Sequence, residues 1–152
     1  MPARDLTDEQ LERELDLLLE ELKIALPGVQ FLFAFLLAVP FAARFEDVTA
    51  LQARVYFVGF VATFVASVFL IAPTVYHRVR YRRHAIPDRM LRTANFFALV
   101  GQAFLAIALI AVTFLVSDFV FSHAAAISVT TIAGLLLLGV WYAVPLSRFL
   151  RD

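Results

Sequence analysis

Cysteine is absent from the 152-residue chain. That excludes disulfides, Cys-based zinc or iron–sulfur sites and Cys nucleophiles, and leaves no clue to redox compartment. Lysine occurs once, at Lys23, and glycine five times. Charged residues make up only 17% of the chain, where a soluble domain carries about 25%. Recognisable catalytic motifs are missing too: no Walker loop, dinucleotide fingerprint, HExxH or nucleophile elbow is present. No pair of the histidines, His77, His84 and His123, has metal-ligand spacing with a carboxylate beside it. No basic patch is interleaved with stacking aromatics, so nucleic acid is not an expected partner. No cofactor, metal, small-molecule substrate or enzymatic activity is expected.

What fills the space is hydrophobic: 62% of the residues, against about 45–50% in a soluble domain. Four stretches carry most of it, at about 28–45, 51–76, 94–117 and 124–146. A bilayer core takes roughly 20 apolar residues as a helix, and none of these stretches has an acid, Lys or Arg near its centre. Buried helices of a soluble bundle would each keep a polar face; these have almost none. The short connections make neighbours antiparallel hairpins. The expected fold is all-α, an integral membrane four-helix bundle preceded by an N-terminal amphipathic helix. The division is residues 1–27 and a four-span domain at 28–152. The bilayer is thus the first partner.

Charge is balanced overall but segregated. Eight of the thirteen acids lie between Asp5 and Glu21, and six of the thirteen basic residues between Arg78 and Arg92. Met1 leads into this acidic stretch and not into a basic start with an apolar run, so a secretory signal is not expected. Leu6 to Leu26 reads as an amphipathic helix with Leu11, Leu15, Leu18, Leu22 and Ala25 on one face. Thr7 and Gln10 suit a capping box with Leu6 and Leu11 as the staple, and Pro27-Gly28 allows a break. Its polar face is acidic where membrane-surface helices are usually basic, which favours a protein partner. Glu12, Asp16 and Glu20 are candidates to dock on Arg80, Arg82 and Arg83 of the second loop, within one chain or between chains.

Arg and Lys counts set orientation. The termini and second loop hold eleven, and the first and third loops with their flanks hold two, Arg44 and Arg54. Both termini are therefore expected in the cytoplasm, in the cytoplasmic (inner) membrane, with Tyr76, Tyr81, Trp141 and Tyr142 near the inner boundary. Thr49 and Gln52 suit a capping box opening span two, and Asp88 an N-cap for span three.

Within the spans, Gly59, Thr63 and Ser67 recur at steps of four, as do Ala126, Thr130 and Gly134, the small-xxx-small pattern of close helix packing. Asn95, Gln102, Ala106 and Thr113 form a stripe on span three, and Gln30 sits early in span one. Gln30, Thr63, Ser67, Asn95, Gln102 and Thr113 are candidates for interhelical hydrogen bonds or for a polar pathway. Pro40, Pro73 and Pro145 lie inside spans and suggest kinks. Asp118, at the end of span three, can pair with Arg44, Arg54 or His123 as an outer-edge ionic cluster, or help cap span four.

Several short motifs then combine. An acidic leader runs into Pro27-Gly28-Val29-Gln30-Phe31-Leu32, and Arg44-Phe45 closes span one. Ile71-Ala72-Pro73 and His77-Arg78 close span two, and Ala94-Asn95 opens span three. In these the chain resembles a bacterial family of unknown function made of small four-helix membrane proteins. Its members sometimes carry the label sodium:proton antiporter by automated transfer; the resemblance implies a fold and no established activity. The residues themselves favour a non-catalytic scaffold or accessory subunit, self-associating or bound to another membrane protein. The alternative is a small homo-oligomeric channel or ion-coupled transporter, which usually needs ionisable groups inside the membrane.

Overall fold

The structure is a computed structural model that describes residues 8–42, 45–80 and 88–143. Four α-helices run in order: α1 (Asp8–Ala38), α2 (Ala50–Arg80), α3 (Asp88–Val120) and α4 (His123–Leu138). No strand occurs among the described residues. All four are long and apolar enough to cross a membrane, and the chain is a multi-pass, all-α membrane protein. It divides into two compact units, Met1–Phe35 with Thr63–Phe104, and Leu36–Ala62 with Leu105–Asp152.

α1 does not break at Pro27-Gly28. It is one helix of 31 residues, about 46 Å at 1.5 Å per residue. The physical reason lies in both residues. A helix commonly stops where glycine takes a left-handed conformation, and Gly28 has no positive φ. Pro27 removes one donor, which leaves the Lys23 carbonyl without its helical partner; Lys23 and Pro27 are both exposed.

One seam of α1 is enclosed along its length: Leu11, Leu15, Leu19, Leu22, Val29 and Leu36 are buried, with Leu26 and Phe33 half-buried between them. The steps are all threes and fours, the spacing of a packed helix face. This corrects the expected face at two places. Leu19 is buried where Leu18 is only half-buried, and Ala25 is exposed. The N-terminal part of the seam packs on the start of α3, where Leu11, Leu15 and Leu19 join Met90, Leu91 and Ala94 in one apolar cluster. The opposite face changes character along the helix. Glu14, Asp16, Glu20, Glu21 and Lys23 are exposed up to that point. From Ile24 onward the exposed large side chains are apolar apart from Gln30, including Phe31, Phe35 and Phe41.

α2 and α3 pack antiparallel with backbones close together. In the first unit a Cβ placed on Gly101 would lie 2.7 Å from Leu70 Cγ. In the second, a Cβ on Gly59 would lie 3.2 Å from the Cβ of Ala111. Small residues substitute here for the hydrophobic drive that lipid does not supply: Ala62, Ala66, Ala108 and Ala111 are all buried, and Thr63 is fully enclosed. Of the expected small-residue positions of α2, Gly59 lies against α3 and Thr63 is enclosed, while Ser67 is only half-buried. Gly101 was not singled out by the sequence pattern and makes the tightest approach of the described glycines. α1 and α2 are also antiparallel: Phe33 meets Phe64 with ring centroids 6.2 Å apart.

α4 is different. Ala126 is its buried residue, and a Cβ placed on Gly134 would lie 3.8 Å from Ile110 Cδ1. A π turn, Gly139–Ala143, follows it.

Candidate functional site

The described polar side chains converge at one place, in the second unit, where α2 begins and α3 ends. Thr49 and Gln52 form the expected reciprocal cap. The Gln52 amide N–H donates to Thr49 Oγ1 at 3.2 Å, and the Thr49 N–H donates to Gln52 Oε1 at 2.9 Å. Two of the four N–H groups that a helix start leaves orphaned are thereby satisfied. The cap also fixes the Gln52 side chain. With Oε1 committed, Nε2 points outward and donates to Asp118 Oδ2 at 2.9 Å. The other carboxylate oxygen, Oδ1, lies 2.7 Å from His123 Nδ1. The His123 ring stands edge-on to Phe114, with centroids 5.8 Å apart. Thr49, Gln52, Asp118 and His123 thus form one polar chain across α2, α3 and α4.

Of the expected partners of Asp118, the structure brings together His123, while Arg54 is exposed and makes no ion pair among the described residues; Arg44 lies outside the described residues. Asp118 does not cap α4. Ser122 does so, its hydroxyl accepting from the Ala125 N–H at 3.3 Å. Gln52 is the partner that sequence reasoning missed, because 66 residues separate it from Asp118 and no local pattern joins them.

Beside this chain is an apolar cavity of about 460 Å³, walled by Leu36, Val39, Phe45, Tyr56, Leu115 and Phe119 among others. The Tyr56 hydroxyl donates to the Leu36 carbonyl at 2.7 Å. The reason is Pro40. A helical residue at 40 would donate its N–H to the carbonyl four back, and proline has none. Pro40 therefore does not kink span one. It closes α1 in a short 3₁₀ turn, Val39–Phe41, and a neighbouring helix satisfies the freed carbonyl, as a membrane interior requires. Phe45 packs edge-on against Tyr56 at 5.4 Å and Phe60 stacks beyond it at 6.3 Å.

The other candidates lie elsewhere. Ser67 donates to the Thr63 carbonyl and Thr113 to the Leu109 carbonyl, each within its own helix. Thr130 Oγ1 is buried without a partner among the described residues. Gln30, Asn95 and Gln102 are exposed. On the acidic face Asp16 and Glu20 are exposed, as are Arg89 and Arg92 at the start of α3, and no ion pair joins them among the described residues. Arg82, Arg83, Thr7 and Pro145 lie outside the described residues, as do the side chains of Glu12, Arg80 and Asp88.

Chemically, the polar chain is a clasp. Both carboxylate oxygens of Asp118 are occupied, by an amide and an imidazole. No group of three or more His, Asp or Glu able to hold a metal occurs among the described residues. Comparison with known proteins gives one relationship. No curated protein and no solved structure matches the chain. The model of a family of unknown function, DUF6328, matches residues 4–145, nearly the whole length, and the chain belongs to that family.

Proposed function

We propose that this protein is a non-catalytic scaffold or accessory subunit of the cytoplasmic membrane, holding other membrane helices against its own. The observation that carries this reading is the state of Asp118. It is the one acid set between α3 and α4, and its two oxygens are taken by Gln52 and His123. Exchange of sodium for protons needs a carboxylate for which both ions compete at a site open to each side in turn. A carboxylate locked into a helix clasp is poorly suited to that. The amides of Gln30, Asn95 and Gln102 face outward, which supports contact with neighbours over a pathway inside one chain. The same outward amides are what favour the second reading, a channel lined by several copies.

Purified protein in liposomes should show no sodium-dependent dissipation of a pH gradient. Flux that Asp118→Asn abolishes would overturn the scaffold reading. Orientation follows from the eleven-to-two distribution of basic residues, with both termini inside. With no native cysteine, an impermeant thiol reagent on intact cells should label Asp47→Cys and spare Arg83→Cys; the reverse pattern would invert the topology.

A further inference from the structure

Gln30, Asn95 and Gln102 sit in helices that span the membrane, are exposed, and have no hydrogen-bond partner among the described residues. Gln102 lies fourteen residues after Asp88 and eighteen before Val120, close to the middle of α3. Gln30 is near the same level. Phe33 stands against Phe64 of α2, and Gly101 against Leu70 of α2. Both amides therefore fall opposite a short stretch of α2 less than one turn long. At that depth there is no water to satisfy them, and an amide left unpaired in hydrocarbon is costly.

The surroundings of Gln102 favour a helix neighbour. Ala98 and Ala106 flank it four residues to either side, and both are only half-buried. Small residues at that step let a second backbone come close. Asn95 lies seven residues before Gln102, so the two amides occupy equivalent places on a heptad seam. Polar residues at such places fix register and number of strands.

The occupant follows from the chemistry of the amide. It carries two donors and an acceptor and is complementary to itself. Two copies inserted the same way in one membrane are related by a two-fold axis along its normal, so a residue at the axis meets its own counterpart. That match in depth is automatic for a second copy. We propose that two copies of this chain associate in parallel through α3, with Gln102 paired to Gln102 across the axis, Ala98 and Ala106 at the crossing, and Asn95 repeating the contact one heptad away. This deepens the scaffold reading by naming its first partner.

The test uses the full chain in bilayers. Ala98→Cys, in a protein with no other cysteine, should cross-link on mild oxidation to a species of twice the 17.0 kDa chain, while Leu135→Cys on α4 should not. Energy transfer between labelled copies should show Gln102→Leu weakening association at least tenfold, Asn95→Leu less, and Gln102→Asn recovering part of it. Circular dichroism of each variant separates loss of pairing from loss of fold, and the Ala98→Cys result stands even if Gln102→Leu does not fold. A wild-type chain that stays monomeric at every protein-to-lipid ratio overturns the proposal, as does a Gln102→Leu variant that associates as wild type. A monomer that retains another membrane protein would sink the second copy and keep the scaffold. A dimer that conducts ions would keep the second copy and sink the scaffold.

Discussion

α1 and α4 are both rich in leucine, yet they treat it in opposite ways. Leu11, Leu15 and Leu22 of α1 are at most 7% exposed, whereas Leu135, Leu136 and Leu138 of α4 are 58–65% exposed. Residue type cannot be the cause. The solvent can: apolar surface in water must be covered, while lipid tails are as apolar as leucine and demand no cover. The leucines of the leading α1 cluster are covered by α3, and the bare leucines of α4 suit a lipid surface. The first three turns of α1 carry exposed carboxylates and enclose Leu11 and Leu15, with Leu17 left 56% exposed, whereas α4 leaves Leu135, Leu136 and Leu138 bare.

Substitutions can break or sharpen that contrast. The largest loss is expected from Leu15→Ala, which empties a site with no exposure in a cluster with Met90 and Leu91; large-to-small changes of this kind cost about 2–5 kcal/mol. A clear fall in melting temperature of the purified protein checks it. Gly101→Val comes next. Its new carbons would press on Leu70, and overpacking costs about 1–3 kcal/mol. The same melting assay should register it, together with a change in near-ultraviolet dichroism from the Phe69–Phe97 pair, whose rings lie 5.8 Å apart. Thr49→Ala removes one half of the reciprocal cap of α2 and should cost about 1 kcal/mol, with faster amide hydrogen exchange at the first turn of that helix. Leu135→Ala should be the smallest, within about 0.5 kcal/mol of zero as for exposed sites generally. If Leu135→Ala proved as damaging as Leu15→Ala, α4 would have to be covered by a partner, and the contrast with α1 would disappear.

What the sequence made legible was local. The Thr49–Gln52 cap could be read because both halves lie within four residues, and the four spans because hydropathy over a long window needs no tertiary knowledge. The seam of α1 was placed nearly right, and Leu18 replaced Leu19 because a uniform alternation of steps was read where the helix takes four twice in succession. Pro27 was misjudged as a possible break because proline disfavours a helix interior without forbidding it. The clasp was legible only in part. Asp118 and His123 are five residues apart and could be paired by eye, but Gln52 reaches them only through the fold. The Tyr56 bond to Leu36 was foreshadowed by Pro40, which announces a carbonyl without a donor, though not which hydroxyl would come to it.

The unbroken path of α1 through Pro27 also sets a phase. Had the chain paused there, the acidic turns and the membrane turns could each have rotated to suit their own neighbours. As one helix they share a single azimuth, and each residue advances it by about 100°. A one-residue insertion after Lys23 would swing the leading leucines a quarter-turn or more away from Met90 and Leu91, while a seven-residue insertion would return them almost to their starting angle. The length of chain between the two seams is therefore constrained in its remainder and not in its size.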